Sequence, residues 1–200
     1  MSPRRILDPI DLVADRGGVV RVAVLTEAGI GRRALEGALR SGRLLRVRRG
    51  WVATNDADPV LVAAAREGVV ITCISQASRL GLWVHEADSR QHVGADPKSA
   101  GRKTRRAHVH WFTPIVPRPP DLLEDPIENV LTAVASCEPF ERALATWESA
   151  LNKGLVTLEG LAGYSWKPTA RRILAEATPF ADAGLETYLR PRLAWLRLPI

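Results

Sequence analysis

The chain has 200 residues, of which 46% are apolar and 25% charged, a composition typical of a folded globular protein rather than a disordered or fibrous one. This length permits one large domain or two small ones. The formal net charge is +6, and residues 1–55 account for all of it, with eleven basic and five acidic side chains against seventeen of each in the remainder. Only the N-terminal quarter is therefore suited to meeting a polyanion.

The cysteines and the N-terminus exclude a secreted disulfide scaffold. Cys73 and Cys137 are the only cysteines, and both lie in apolar stretches, which predicts buried free thiols, with a single disulfide as the alternative. The first residues contain no apolar segment of signal-peptide length, and no later run is long enough to span a membrane. We therefore expect a cytoplasmic protein without membrane contact.

The first two predicted elements are helices. Residues 6–16 predict a helix with Asp8 as its N-cap. Residues 19–28 predict a second helix, because Gly29-Ile30-Gly31 follows at the length of a helix-turn-helix corner. A strand over residues 19–25 is the competing interpretation, since β-branched residues favour strands.

The most informative stretch is residues 30–54, where seven arginines stand against one acid. Its first half has the spacing of an amphipathic helix, and Gly42 stands where such a helix would end in a left-handed residue. Its second half alternates with a period of two, and Arg49-Gly50 provides a turn between two strands. The arginines fall on the polar face of both elements. They are Arg32, Arg33, Arg40, Arg43, Arg46, Arg48 and Arg49.

A basic helix followed directly by a basic hairpin is the pattern of a winged helix, whose helix enters a DNA major groove while the hairpin contacts the adjacent backbone. Double-stranded DNA is therefore the predicted partner, although a run of arginines can also form a merely solvated face. Clustering of the charge on one face favours DNA. The residues predicted to read base edges are Arg32, Arg33, Glu36 and Arg40. Those predicted to hold phosphates are Arg43, Arg46, Arg48 and Arg49.

Residues 6–54 resemble the N-terminal winged-helix domain of the type IV toxin–antitoxin antitoxins of the abortive-infection class. The resemblance is carried by Leu25-Thr26-Glu27-Ala28-Gly29-Ile30, by Ala38-Leu39-Arg40-Ser41-Gly42-Arg43-Leu44 and by Arg46-Val47-Arg48-Arg49-Gly50-Trp51. The family tends to have a tyrosine near the position of Val52. In such proteins the winged helix binds operator DNA and represses the antitoxin–toxin operon. The resemblance therefore implies an antitoxin-like transcriptional regulator, with a cognate toxin or another protein as a second partner.

The segment after the winged helix, residues 56–120, predicts a small α/β region. Residues 59–67 form a helix capped by Asp58, residues 69–74 have the length of a strand, and Ser75 caps a further helix that runs to Leu82. The next two predicted elements are strands, over residues 91–95 and 107–112.

The predicted strands bracket a basic loop, residues 98–106. It is either the tip of a hairpin that touches phosphate or a solvated loop, and both interpretations stay open. Its candidate DNA contacts are Arg102, Lys103, Arg105 and Arg106. Histidines lie on and near the same strands, at His85, His92, His108 and His110. Three imidazoles would suit zinc, but partly exposed histidines on an edge strand are the favoured interpretation, so no metal and no cofactor are predicted.

The C-terminal half predicts helices over residues 121–178, whose apolar stripes are expected to form core. Residues 179–200 resemble the entry to a domain like that of very-short-patch-repair endonucleases, through Gly184-Leu185-Glu186-Thr187. Glu186 alone cannot hold a catalytic cation, so no catalytic residue is predicted, and whether the chain is an enzyme is left uncertain, with non-enzyme favoured.

The predicted fold class is α+β, a winged helix-turn-helix followed by a small mixed α/β domain with a helical C-terminal half. Its predicted divisions are residues 1–55, 56–120, 121–178 and 179–200. A sequence-reading DNA-binding regulator is the favoured function. The alternatives are the DNA-targeting portion of an endonuclease whose catalytic core lies beyond this chain, and a protein-interaction module.

Overall fold

The computed structural model describes residues 8–85, 90–95 and 107–180. It is an α+β protein that divides into two compact units, Met1–Val69 and Val70–Ile200. The first unit is a winged helix-turn-helix, and the second combines a small sheet with a helical C-terminal half, so the predicted fold class is confirmed. Within the described ranges, no helix has the length and apolarity needed to cross a membrane.

The first unit has the topology of a winged helix. Its sheet is antiparallel with the strand order β1-β3-β2, and a short helix pair precedes the β2–β3 hairpin. A further helix, α4, follows the hairpin. The elements are α1 (Pro9–Ala14), β1 (Val19–Arg21), α2 (Val22–Glu27), α3 (Arg32–Arg40), β2 (Leu44–Arg48), β3 (Trp51–Thr54) and α4 (Pro59–Glu67).

The prediction of one helix over residues 19–28 is wrong for its first three residues. Val19–Arg21 is a strand, and the helix begins only at Val22. Val20 pairs with Val52 of β3, which places both side chains in the buried core. Pairing and burial with β3 therefore override helix formation at the start of this stretch, in agreement with the competing strand interpretation.

Two predicted helix caps are confirmed. The Asp8 carboxylate accepts a hydrogen bond from the backbone N–H of Ile10 at 2.9 Å, and the Asp58 carboxylate accepts one from Val60 at 2.8 Å. Each satisfies an N–H group that the first turn of a helix leaves without an intrahelical partner.

Replacing Asp58 with alanine is expected to lower the free energy of unfolding by about 0.5–2 kcal/mol, because α4 loses the oxygen that accepts the Val60 N–H. Urea unfolding of the full chain measures the effect. Asp58→Asn retains an acceptor and should be much less destabilised. Equal destabilisation of the two variants would show that the cap does not stabilise α4.

The second unit builds its sheet from three short strands in the order β4-β5-β6. β5 runs antiparallel to β4 and parallel to β6. The described elements are β4 (Val70–Ile71), α5 (Cys73–Arg79), β5 (Gln91–Gly94), β6 (Ala107–His110), α6 (Ile127–Cys137), α7 (Phe140–Asn152), α8 (Leu158–Ala162) and α9 (Pro168–Glu176).

Two local predictions in this unit are wrong. The apolar run 69–74 contributes only a two-residue strand, and α5 begins at Cys73. Ser75 therefore lies inside α5 and does not cap it. Its hydroxyl instead accepts a hydrogen bond from the backbone N–H of His92 at 2.8 Å, so it fastens α5 to β5.

Parallel pairing of β5 with β6 excludes a simple hairpin between them, because parallel strands require a crossover connection. The interpretation of the basic loop as a hairpin tip is therefore wrong. Residues 96–106, with Arg102, Lys103, Arg105 and Arg106, lie outside the described residues, as do residues 181–200 with the nuclease-like segment.

The C-terminal helices form the main core of the second unit, as their apolar stripes predict. Trp147 is fully buried, and its ring meets that of Trp166 edge to face at a centroid distance of 4.9 Å. Each indole N–H donates to a backbone carbonyl, Trp147 to Leu131 at 3.2 Å and Trp166 to Leu161 at 2.6 Å. Both rings are thus buried with their polar atoms satisfied.

Candidate functional site

The helix α3 is fixed by its apolar side. Leu35, Ala38 and Leu39 pack on a core that includes Leu25 and Val52. The turn before α3 is closed by a hydrogen bond from the N–H of Ile30 to the carbonyl of Leu25 at 2.9 Å. Because one side of α3 is held against this core, its opposite side faces solvent.

The arginines of α3 and of the following hairpin lie on the exposed surface, with one exception. On α3 the exposed arginines are Arg32, Arg33 and Arg40. On the chain from the end of α3 to the hairpin tip they are Arg43, Arg46 and Arg49. The described structure thus leaves six of the seven predicted arginines available to a ligand in solvent.

Glu36 lies in the electrostatic field of arginines from both α3 and β2. Its carboxylate accepts a hydrogen bond from Arg32 Nε at 2.7 Å. That bond lowers the pKa of Glu36, and the positive charges of Arg40 and Arg46 lower it further. Since Arg40 lies on α3 and Arg46 on β2, both elements contribute to one positive field.

The turn between α3 and β2 is tied to α1. Arg43 forms an ion pair with Asp8, Nη2 to Oδ2, at 3.1 Å. Asn55 donates a hydrogen bond to the Gly42 carbonyl at 2.8 Å. Gly42 has a φ of 72°, which confirms the predicted left-handed end of the helix. These contacts fix where the hairpin leaves α3.

A pH dependence follows from Asp8, whose pKa is lowered from 3.8 by the Ile10 N–H and by Arg43. Its contribution to stability is complete above the ordinary pKa and disappears as the pH falls through the lowered folded value. Asp8→Asn should therefore lower Tm at neutral pH, and the difference from wild type should vanish in strong acid. Thermal unfolding at both pH values tests this. Asp56→Asn removes the same charge at an exposed position and should leave Tm nearly unchanged; a matching pH-dependent decrease there would contradict the assignment.

The hairpin tip is set by a two-residue turn and a bulge. Gly50 has a φ of 79°, a region that residues with a Cβ rarely adopt, so glycine suits this turn. The strand register shifts between Arg46 and Arg48, a β-bulge that changes the twist of the strand at the tip. The N–H of Val22 donates to the Gly50 carbonyl at 2.9 Å, which anchors the tip to the start of α2.

Arg48 is the exception among the arginines, because its side chain is half-buried. Its guanidinium lies over the Trp51 ring at 5.6 Å from the centroid, and it also packs close to Gly68. These contacts are cation–π and van der Waals contacts within the unit. Arg48 thus holds the hairpin against the end of α4. The contact of Arg48 with a phosphate remains a prediction.

A second group of side chains lies in the Val70–Ile200 unit. One potential ligand atom from each of its four residues lies within 4.8 Å of the other three. His92 Nδ1 is 3.1 Å from His110 Nε2 and 3.8 Å from the Cys137 sulfur. The residues come from the start of α5, from β5, from β6 and from the end of α6. They are Cys73, His92, His110 and Cys137.

The pKa values of the two thiols in this group are shifted in opposite directions. A hydrogen bond from Cys73 lowers the pKa of Cys137 well below its usual value, and the neighbouring His110 and His92 lower it too. The same hydrogen bond, together with burial, raises the pKa of Cys73. The hydrogen bond between the two thiols therefore favours ionisation of Cys137 over ionisation of Cys73, beside two imidazoles.

The predictions for these residues are met only in part. Both cysteines are free thiols, but only Cys73 is fully buried, and Cys137 is half-buried. Of the histidines weighed for zinc, His92 and His110 join the group, whereas His108 stacks on His92 at 4.6 Å between ring centroids. His85 instead lies beside Trp83. The sequence does not predict that cysteines join histidines here, because no short Cys–Cys or His–His ligand spacing links them.

The first unit defines the class of protein, a winged-helix protein with a basic face. Residues 8–53, from the cap of α1 into β3, match the family model described as "Transcriptional regulator, AbiEi antitoxin". This segment is accordingly similar to the AbiEi antitoxin transcriptional regulators, which confirms the resemblance to abortive-infection antitoxins for residues 8–53.

Among solved structures, the chain is similar to the RV2827C protein from Mycobacterium tuberculosis, with 19% identity and a TM-score of 0.39. The alignment covers 93% of this chain and 81% of that one. No curated protein matches the chain. The fold assignment rests on the strand order and helices themselves.

Proposed function

We propose that the protein is a sequence-reading double-stranded DNA-binding regulator of the antitoxin type. The observation that carries the proposal is the joint exposure of arginines on α3 and on the β2–β3 hairpin of an antitoxin-family winged helix. In this fold the helix enters the major groove and the hairpin lies along the backbone. The regulator would act in the cytoplasm, where its DNA lies, and a cognate toxin is the expected second partner.

Four side chains of α3 are proposed to read base edges. An arginine can donate two hydrogen bonds to guanine O6 and N7, and a glutamate can accept one from cytosine N4. The pair between Arg32 and Glu36 is solvent-exposed, with 90% and 45% of the two side chains accessible, so it opens at little cost when DNA competes for it. The four are Arg32, Arg33, Glu36 and Arg40.

The remaining arginines are proposed to hold phosphates, which sets register and affinity without reading sequence. Arg46 and Arg49 are the strongest candidates, since both are exposed on the hairpin. Arg43 would share its charge between Asp8 and the DNA backbone. Arg48 would act mainly by holding the hairpin. Outside the described residues, the proposed phosphate contacts are Arg102, Lys103, Arg105 and Arg106.

Selection of bound duplexes from a random pool at two salt concentrations tests the proposal. A regulator should enrich one motif at both concentrations, because base-edge contacts depend little on counterion release. Salt-labile binding without an enriched motif would contradict a sequence-reading role. Absence of binding even at low salt would overturn the DNA-binding proposal itself.

A further inference from the structure

We propose that Cys73, His92, His110 and Cys137 form a structural zinc site in the Val70–Ile200 unit. All four residues lie outside the winged-helix unit, so the assignment of the site does not rest on the proposed DNA-binding function. It would join the start of α5, the strands β5 and β6 and the end of α6.

Two of the six separations between donor atoms are close to those around a single tetrahedral ion. With Zn–S near 2.3 Å and Zn–N near 2.0–2.1 Å, the ligand atoms of a tetrahedron lie about 3.3–3.8 Å apart. The observed separations of 3.1 Å between the imidazole nitrogens and 3.8 Å between nitrogen and sulfur are close to these values. All remaining pairs fall within 4.8 Å.

The donor set selects zinc among common metals. Two thiolates and two imidazoles in tetrahedral geometry suit Zn²⁺, whereas Mg²⁺ and Ca²⁺ require oxygen ligands. A two-iron cluster also accepts two cysteines and two histidines, but each pair then binds a different iron. Four donors this close to one another surround one ion. Because all four positions are protein side chains, the ion would be structural rather than catalytic.

The elements hold the donors in place before any ion binds. Residues His92 and His110 lie on adjacent strands paired in parallel, with His92 opposite His108 in the register, so the three rings share one side of the sheet. The His92 carbonyl accepts a hydrogen bond from the N–H of Thr72 at 3.1 Å, next to Cys73. The paired strands and this bond hold the donors of α5, β5 and β6 together.

The backbone conformation of Cys73 is a second observation that supports a binding site. Its φ is 52°, and among the described residues it is the only one other than glycine with a positive φ. Such backbone conformations persist where the surrounding structure holds them and cluster at binding sites. Here the conformation places a completely buried cysteine at the junction of β4 and α5, with its sulfur within 4.8 Å of the Cys137 sulfur.

Zinc binding would leave a neutral site. Both cysteines bind as thiolates, any thiol proton that they carry passes to solvent, and both histidines bind through a neutral ring nitrogen. Two negative charges then balance the charge of the ion. No oxidant or reductant takes part, which distinguishes this state from a disulfide between the same cysteines.

The test uses the full-length protein, produced with zinc in the medium and purified in a thiol-free reductant. Elemental analysis after dialysis against a weak chelator should find about one zinc ion per chain. Cobalt exchanged into the wild-type protein should give the visible absorption of a tetrahedral ion, with a thiolate-to-cobalt charge-transfer band. Wild-type protein that holds neither ion, or that contains iron instead, would overturn the proposal.

Variants identify the ligands. Cys137→Ser and His110→Ala should each lower zinc affinity by more than about 100-fold, since even outer-shell changes cost about 10- to 100-fold. His108→Ala is the matched control, because His108 lies on the same strand and touches His92 without joining the donor set. Because its ring stacks on His92 and supplies no donor atom, its removal should change affinity by less than about 10-fold, below the 10- to 100-fold cost of losing an outer-shell partner that orients a ligand. An equal decrease in His108→Ala would overturn the assigned ligands.

A thiol alkylation assay on wild-type protein tests the site without any substitution, so it remains informative if a variant fails to fold. With zinc bound, both cysteines should resist alkylation until a strong chelator is added. Recovery of a Cys73–Cys137 disulfide from protein kept in zinc and reductant would also overturn the site.

Discussion

Asp125→Ala is expected to destabilise the Val70–Ile200 unit by about 3–5 kcal/mol, because it removes one partner of a buried ion pair. The Asp125 side chain has no exposed surface, and that of Arg118 is only 13% exposed. Arg118 donates to both carboxylate oxygens, from Nε at 2.7 Å and from Nη2 at 2.5 Å. Without the carboxylate, a largely buried guanidinium would keep its charge and have no anion beside it.

The effect extends beyond the ion pair. Asn129 donates to Asp125 at 3.2 Å, and its amide oxygen accepts from the N–H groups of Ile115 and Val116, both at 3.0 Å. The Arg118 guanidinium also lies over the ring of Phe112, at 4.9 Å from the centroid. Asp125 therefore fixes the segment that leads from β6 to α6, and its removal should disturb several hydrogen bonds at once.

Glu124→Ala provides a matched control one residue away. Glu124 pairs with Arg79 at 2.8 Å, but the two side chains are 39% and 31% exposed. We therefore expect Glu124→Ala to lower the free energy of unfolding by only about 0–1 kcal/mol. Denaturant unfolding followed by tryptophan fluorescence reports mainly on this unit, because Trp51 is the only one of the six tryptophans outside it. Similar costs for the two variants would show that Asp125 is not a buried anchor.

A double-mutant cycle separates the pair from its surroundings. Arg118→Ala should lower the free energy of unfolding by less in the Asp125→Ala variant than in wild type, because the guanidinium of that variant has already lost the Asp125 carboxylate. Additive costs would mean that the two residues stabilise the unit independently.

The winged helix can be predicted from sequence because its signals are local. The change from helical spacing to alternation marks α3 and the hairpin, Gly42 and Gly50 mark the ends, and Asp8 and Asp58 mark helix starts. β1 is less clear because a three-residue strand carries no periodicity of its own. Its structure depends on pairing with β3, whose paired residues lie 30 to 34 positions later in the chain.

The Cys–His group cannot be predicted as a site for a related reason. Its members are spread over residues 73–137, and only the tertiary structure brings them together. Alternation in His108-Val109-His110 predicts that two imidazoles share a side of the strand. Nothing local indicates that the parallel neighbour adds His92, or that helix ends add Cys73 and Cys137. The group cannot be predicted because its members are far apart in the sequence, not because of their residue types.

Two double variants of equal charge change separate base reading from phosphate contact. Arg33→Ala with Arg40→Ala, on α3, should weaken binding to the selected motif by about 1–3 kcal/mol for each bidentate arginine–guanine pair that is removed, and should relax the sequence preference. Arg46→Ala with Arg49→Ala, on the hairpin, should weaken binding about equally on all duplexes. It should also reduce the slope of log K against log salt by about 1 for each arginine. Fluorescence anisotropy on motif and scrambled duplexes, over a salt series, measures the affinity, the sequence preference and the salt dependence of binding.

The comparison is decisive because each double variant removes two exposed positive charges from the same unit. If only the net charge mattered, both variants would bind more weakly by the same amount on both duplexes, and neither would alter specificity. If the helix enters the groove, the α3 variant alone narrows the gap in affinity between motif and scrambled DNA. A narrowed gap in the hairpin variant instead would reverse the assignment and place the hairpin, not α3, against the base edges.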